Sequence, residues 1–482
     1  MSLLNNFGYS TALAAQTLWD SSRRLVYPGL RLGITGLSRS GKTVFTTALI
    51  HNLMHHGDLP AFHATAKNTI RRVRLAPQPH VTIPRFPFED HLNTLCRTRM
   101  WPPSTNRISE IRLEIEYENA SGWSLNPGYL AVDIVDYPGE WLLDLTLLEK
   151  DYRAWSFDVM EAARLPARQR LAAPWLKAVA AVLPRDPADE ARAAELCELF
   201  KQYLMRLRDG PESVATTPPG RFLMPGDLAG SPALTFFPMD LNSDEPVAES
   251  SFAALMQKRF DAYKDHVVKP FFRDHFQRVD RQIVLVDVLA ALDGGPTALA
   301  ELEAALDNVL LAFRIGRRSL FSTLFSPRAD KVLFAATKAD HLHHESHNRL
   351  NAVLRLLVHR AIRRGEASGA GIGTLALASV RATSEKIVTD GGEVLKAVAG
   401  VPEAGEQVGD RLFDGETEAV IFPGDLPERP ETVFSGAVPP GSLRFPRFRP
   451  PAMPPDLPVN AWVPPNIRLD RALEFLIGDY LA

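Results

Sequence analysis

Leu30, Leu32 and Ile34 alternate with polar or small residues and predict a strand, and Val44, Ala48, Leu49, Leu53 and Met54 recur at helical spacing soon afterwards. From Arg107 to Asp136, the alternation of Leu113, Ile115 and Tyr117, a turn at Asn119 to Gly122 and the run Tyr129 to Val135 predict a hairpin. The long segment from Trp141 to Asp280 is helical in pieces, with Leu196, Leu199, Phe200, Tyr203, Leu204 and Leu207 on one face, and is interrupted around Pro218, Pro219, Gly220, Pro225 and Gly226. Gln282 to Leu289 is a nearly unbroken Ile, Val and Leu run, the mark of a strand covered on both faces. A helix over about Thr297 to Phe313 follows, then apolar runs at Val332 to Ala336 and Leu375 to Ala378. Asp390 to Pro465 is rich in Gly and Pro, with β-like pieces at Ala419 to Phe422 and Leu443 to Phe448. The chain closes on a helix with Asn466 as candidate cap and Leu469, Leu473, Leu476 and Ile477 on one face.

Strands alternating with helical stretches, each strand ending in a polar turn, predict a doubly wound α/β sheet with ligands at the carboxyl ends of its strands. Residues 28–140 and 281–383 then form two parts of one core, 141–280 a large helical insertion, 384–465 an irregular or β appendage, and 466–482 a terminal core helix. Residues 1–27 are expected to form an N-terminal helix. Its Leu18, Trp19, Leu25 and Val26, beside Arg23 and Arg24, suit either packing on the core or lying on a membrane surface.

The chain has 482 residues, 45% of them hydrophobic, enough for a large elaborated domain or a core with a second lobe. With 54 basic against 57 acidic residues the net charge is −3, which excludes a global attraction to nucleic acid or an anionic membrane, so no nucleic-acid partner is expected. Cys96 and Cys197 match neither a metal motif nor a disulfide framework, which suits a reducing cytosol. Lys177 and Asp287 interrupt the long apolar runs, and no cleavable leader is evident. The expectation is a cytoplasmic protein, with peripheral docking at the inner membrane left open.

Gly36-Leu37-Ser38-Arg39-Ser40-Gly41-Lys42-Thr43 is a complete G-x-x-x-x-G-K-[ST] loop between the first strand and helix. Its glycines let backbone N–H groups turn inward at phosphates, and the helix from Thr43 and Val44 adds its positive end. Lys42 supplies a point charge and Thr43 a hydroxyl for Mg²⁺. Asp136-Tyr137-Pro138-Gly139 follows the strand Tyr129 to Val135. There the carboxylate suits Mg²⁺ through a water, and the Gly139 N–H suits a terminal phosphate. Thr337-Lys338-Ala339-Asp340 ends another strand, and an aspartate there accepts from guanine N1–H and its exocyclic amine, which adenine does not offer. The Lys338 stem can lie along the base. Ser379-Val380-Arg381 ends the next strand, with a backbone N–H near Val380 for the base oxygen.

In this order the pieces resemble the small-GTPase fold of the translation-factor-related class. The phrases Gly-Leu-Ser-Arg-Ser-Gly-Lys-Thr, Asp-Tyr-Pro-Gly-Glu-Trp-Leu, Pro-Gly-Arg-Phe-Leu-Met-Pro-Gly-Asp, Asp-Arg-Gln-Ile-Val-Leu-Val-Asp-Val-Leu and Ala-Ala-Thr-Lys-Ala-Asp-His further resemble the YcjX family of bacterial stress-associated proteins, from about Pro28 to the final helix. The resemblance implies a P-loop GTPase core with a large helical insertion, binding of GTP or GDP with Mg²⁺, a link to the phage-shock envelope-stress response and a companion membrane protein.

Against the common small-GTPase pattern, Glu140 stands after Gly139 where many relatives have a water-orienting Gln; it reads either as water-orienting base or as structural partner. Ser38 and Arg39 replace small glycines, and Arg39 reads either as a cis-acting charge donor or as a solvent-facing side chain. Thr105, with Ser104 next, is the candidate switch threonine for Mg²⁺. Slow GTP hydrolysis, a nucleotide-gated interaction module and an ATPase are the three functions that fit. His341, His343, His344 and His347 lack zinc-like spacing and read as a solvated helix start, and Arg71, Arg72 and Arg74 as a solvated face.

Overall fold

The computed structural model describes residues 29–481 apart from 38, 56, 104–106, 119–126, 210–217, 242–247, 313–329, 367–369, 437 and 440. The N-terminal helix expected over 1–27, the turn at Asn119 to Gly122, and Ser38, Ser104 and Thr105 lie outside the described residues.

Strands are numbered in chain order: β1 Gly29–Gly36, β2 Ile70–Ala76, β3 Ser109–Tyr117, β4 Gly128–Asp136, β5 Arg281–Val286, β6 Lys331–Ala336 and β7 Gly371–Ala376. They form one sheet in the order β2-β3-β4-β1-β5-β6-β7. β4, β1, β5, β6 and β7 run parallel, while β3 is antiparallel to both β4 and β2. The alternation in β5 shows why both faces must be covered. Ile283 and Leu285 join a core with Phe45 and Leu49 of the helix Lys42–Met54 and Leu473 of the terminal helix Leu469–Ile477. Val284 and Val286 face the opposite way, onto Leu302 and Leu306 of the helix Gly295–Ala312 and Leu350 and Leu354 of the helix His347–Leu357. Burying each such side chain contributes about 1.5–3 kcal/mol, so a parallel sheet with helices on both faces is the arrangement this pattern favours.

The helices between Glu140 and Arg278 build a separate aromatic core. Trp155 stacks on Phe260 with centroids 5.1 Å apart, and Trp175 on Tyr203 at 5.4 Å. Leu196, Phe200, Tyr203 and Leu204 of the helix Glu190–Asp209 are buried there, with Leu199 and Leu207 packed against them. Buried Asp144 ties this lobe together: its carboxylate accepts from the Gly220 N–H at 2.6 Å and from the Tyr263 hydroxyl at 2.5 Å.

Three local expectations are corrected. β5 stops at Val286, short of Leu289, because Asp287 caps a new helix, Val288–Asp293, accepting from the Ala290 N–H at 3.1 Å. β7 likewise ends at Ala376 rather than Ala378. Arg71, Arg72 and Arg74 are exposed, the solvated face expected of them, and they stand on β2, with Ile70 and Val73 buried and Arg71 and Arg74 facing out to Glu118 and Glu114. A register shift between Ile70 and Arg72 breaks the period-two pattern that would have revealed it. The Gly/Pro-rich region holds a hairpin of β8 (Ser384–Asp390) and β9 (Glu393–Gly400), completed by β10 (Gln407–Val408), β11 (Arg411–Leu412) and β12 (Ala419–Ile421). β12, β9 and β8 form a three-stranded antiparallel sheet, whereas Leu443 to Phe448 is no strand and meets Pro402 through a single bridge at Phe448.

Candidate functional site

The loop after β1 is shaped by two left-handed residues, Arg39 at φ 62° and Gly41 at φ 85°, which fold it back before the helix Lys42–Met54 begins. Glycine takes that conformation freely, whereas Arg39 holds it at some cost in strain. The Lys42 ammonium donates to the Gly36 carbonyl at 2.7 Å, spanning the loop, and the Thr43 hydroxyl meets the Pro103 carbonyl at 3.4 Å. Ser40 is buried, and its hydroxyl lies 2.3 Å from where a Cβ on Gly36 would sit.

At the other end of the sheet edge, the turn after β6 is fixed by backbone bonds from Thr337 N–H to the Val286 carbonyl at 3.0 Å and from Ala339 N–H to the Leu377 carbonyl at 3.1 Å. Lys338 adopts φ 60° and pairs with Asp287. Asp340 is 4% exposed, and its carboxylate accepts from the Ala382 N–H at 2.8 Å. His341 behind it is buried, which pushes its imidazole below the usual range toward the neutral form, and its ring meets Phe448 edge-on at 5.3 Å.

Loop and turn open onto one cavity of about 550 Å³ at the carboxyl ends of β1, β5, β6 and β7. Arg39, Ser40, Gly41, Lys42, Thr43 and Val44 line one part, and Thr337, Lys338, Asp340, Ser379 and Val380 another. Gly36 lies beneath the loop at the end of β1. Asp136 ends β4 beside β1, opposite Ile34, and is 1% exposed. Gly139 packs on the Gly36 backbone. Five expected residues, Gly36, Asp136, Gly139, Glu140 and Arg381, do not line the cavity. Glu140 is fully buried beneath the Gly220 turn, and neither carboxylate oxygen has a hydrogen-bond partner among the described residues. Arg381 turns the other way, its N–H to the Pro465 carbonyl at 2.6 Å and its guanidinium to the Thr383 carbonyl and Glu385. The histidine run is corrected too: His341, His343 and His347 are buried, and only His344 of the four is exposed.

The sequence reading missed several wall residues. Asp287 was visible only as a break in an apolar run, although a polar residue at a parallel strand's carboxyl end is itself a site signal. Trp101, Arg208, Glu403, Glu406, Arg447 and Phe448 also line the cavity, and nothing in their local pattern signals it. Among the described residues no helix is long and apolar enough to cross a membrane.

The profile of the YcjX-like family, DUF463, matches residues 30–481. The Ras-like GTPase YcjX of Escherichia coli (strain K12) is 39% identical over 466 residues, which cover 94% of this chain and 96% of that protein. The Ras-like GTPase YcjX of Shewanella oneidensis is 32% identical over 481 residues, 94% of each chain. With a profile match across the whole described sheet and relatives similar over nearly their full length, this chain belongs to the YcjX-like family, DUF463.

Proposed function

We propose that the cavity binds a guanine nucleoside triphosphate with Mg²⁺ and that the protein hydrolyses GTP to GDP and phosphate. The observation that carries this reading is the meeting of the Gly36–Thr43 loop and the Thr337–Asp340 turn on one cavity at the carboxyl ends of parallel strands. Both relatives bear the name Ras-like GTPase, which supports the same chemistry here.

In this reading Asp340 accepts from the guanine N1–H and exocyclic amine, Lys338 lies along the base, and the Val380 N–H meets the base oxygen, with Thr337 and Ser379 as neighbours. The loop N–H groups from Arg39 to Val44 cradle the phosphates, and Lys42 exchanges the Gly36 carbonyl for a phosphate oxygen. The Thr43 hydroxyl and the Asp136 carboxylate are hard oxygen donors of the kind Mg²⁺ takes, and Asp136 stands at the end of the strand next to β1. Mg²⁺, when bound, neutralises phosphate charge; Thr105 is the proposed third protein oxygen. Water attacks the terminal phosphorus in line, the bond to the GDP oxygen breaks, and Gly139 loses its phosphate contact. Arg39 supplies charge to the transferring group.

Burial of Glu140 away from the cavity favours a second reading, a nucleotide-gated module with little intrinsic hydrolysis. The family resemblance adds the proposal of an inner-membrane protein as its partner in envelope stress. Titration of the full chain with GTP, GDP and ATP, followed by steady-state phosphate release, separates the readings. Turnover that Lys42→Ala abolishes supports the enzyme, tight binding without turnover the module, and preference for ATP overturns the guanine assignment.

A further inference from the structure

Trp101 and Phe448 are joined at the cavity wall. The Trp101 indole N–H donates to the Phe448 carbonyl at 2.7 Å, and the Arg99 guanidinium donates to the Pro450 carbonyl at 3.2 Å. Phe448 is anchored in turn. It is 2% exposed, and its ring sits where a Cβ on Gly400 would come within 2.8 Å. Its flanking backbone is paired to the strap after β9, from Glu403 N–H to the Arg447 carbonyl and from Arg449 N–H to the Val401 carbonyl, both at 2.7 Å.

Each partner also reaches the nucleotide-binding elements. The Phe448 ring meets His341 edge-on, directly after Asp340. Two residues beyond Trp101, the Pro103 carbonyl faces the Thr43 hydroxyl at 3.4 Å. Trp101, Pro102 and Phe448 all line the cavity. One contact therefore ties the C-terminal β unit to both the segment beside Thr43 and the turn that carries Asp340.

We propose that Trp101 and Phe448 are positioning residues of the nucleotide site, through which the C-terminal β unit holds the 99–103 segment against the cavity and fixes the turn at Asp340. This rests on the reading of the cavity as a guanine-nucleotide site. The physical reason is preorganisation: a ligand that finds its walls already held loses less conformational freedom on binding, so releasing the walls appears as faster dissociation. The C-terminal unit is then a working wall of the site rather than an appendage.

The test uses the full chain, a fluorescent GDP analogue and two conservative variants. Trp101→Phe keeps a ring and removes the N–H donor, and Phe448→Leu keeps an apolar side chain and removes the ring against His341. Each variant is expected to melt close to wild type and to bind GDP about five- to tenfold more weakly, through faster dissociation, as loss of one buried contact predicts. The double variant is expected to be less than multiplicative, because the two residues act through one contact. Nucleotide is also expected to slow amide exchange over residues 445–450 in wild type and much less in Trp101→Phe, a readout that a merely structural contact would not move. If Phe448→Leu fails to fold, Trp101→Phe carries the test. A wild type that binds GDP while the folded variants match its affinity and dissociation rate overturns this proposal alone. A wild type that binds no guanine nucleotide overturns the reading of the cavity and the proposal with it.

Discussion

Gly139 lies so close to Gly36 that a Cβ on Gly139 would come within 2.2 Å of the Gly36 carbonyl oxygen and 3.0 Å of the Leu37 N–H nitrogen. Both obstacles are backbone, so no side chain can swing aside. Gly139→Ala must therefore separate the Asp136–Gly139 turn from the loop. The expected cost is about 1–3 kcal/mol of stability, as for other overpacked sites, together with weaker nucleotide binding. Thermal melting and GDP titration check both parts. A variant with wild-type melting would show that the two segments do not need this approach.

Asp340 is held by the Ala382 N–H at 2.8 Å, and its carbonyl accepts from the Thr383 hydroxyl, so its carboxylate is oriented before any ligand arrives. Asp340→Asn replaces an acceptor-only group by one that also donates. In the proposed site this removes two charge-assisted bonds to guanine, so GTP affinity is expected to fall on the order of a hundredfold while xanthosine triphosphate affinity rises. Competition titration measures both, and unchanged GTP affinity would sink the guanine assignment.

These two contacts mark what could be read from sequence and what could not. The strand, loop and helix from Leu30 to Met54 are consecutive, so their periodicities and the glycines between them specify local structure without help from the rest of the chain. The positions of Asp136, at the end of β4, and of Asp340, in the turn beyond β6, were legible because a parallel sheet must bring those strand ends to the same edge. Side-chain direction was not. Arg381 shares its short stretch with cavity-lining Ser379 and Val380, yet its guanidinium is drawn off by Glu385 on β8. The hairpin of β8 and β9 did carry a signal, Gly391-Gly392 between two extended runs. Both glycines have positive φ, 57° and 88°, as a two-residue hairpin turn requires. Phe448 reaches the cavity only through long-range pairing of the strap around it, which no local pattern encodes.

Cys96 and Cys197 are both buried, and burial pushes each thiol up to about 11. The thiolate is the reactive form, so both are expected to resist thiol–disulfide exchange in the native chain at neutral pH and to react together once it unfolds. Ellman titration with and without denaturant measures this. Rapid native reaction of either thiol would show that its surroundings open readily.

Asp144 joins the Gly220 turn to Tyr263 within the helical lobe, and burial pushes its carboxyl up to about 6 in spite of the hydrogen bonds from Tyr263 and Gly220. A carboxyl whose pKa is raised on folding favours the fold most when protonated. Its contribution is fully present below the unfolded value near 4 and is lost as pH rises through 6. A shift of that size corresponds to about 3 kcal/mol. Asp144→Asn cannot titrate, so the unfolding free energy of wild type minus that of the variant is expected to fall by about this amount between pH 4 and 6.5 and to stay flat above. Denaturant titration followed by tryptophan fluorescence is suited to the measurement, because Trp155 and Trp175 lie in the same buried core. A pH-independent difference would mean that the Asp144 carboxyl titrates in the folded chain as it does in the unfolded one, and that the lobe stays hydrated around it.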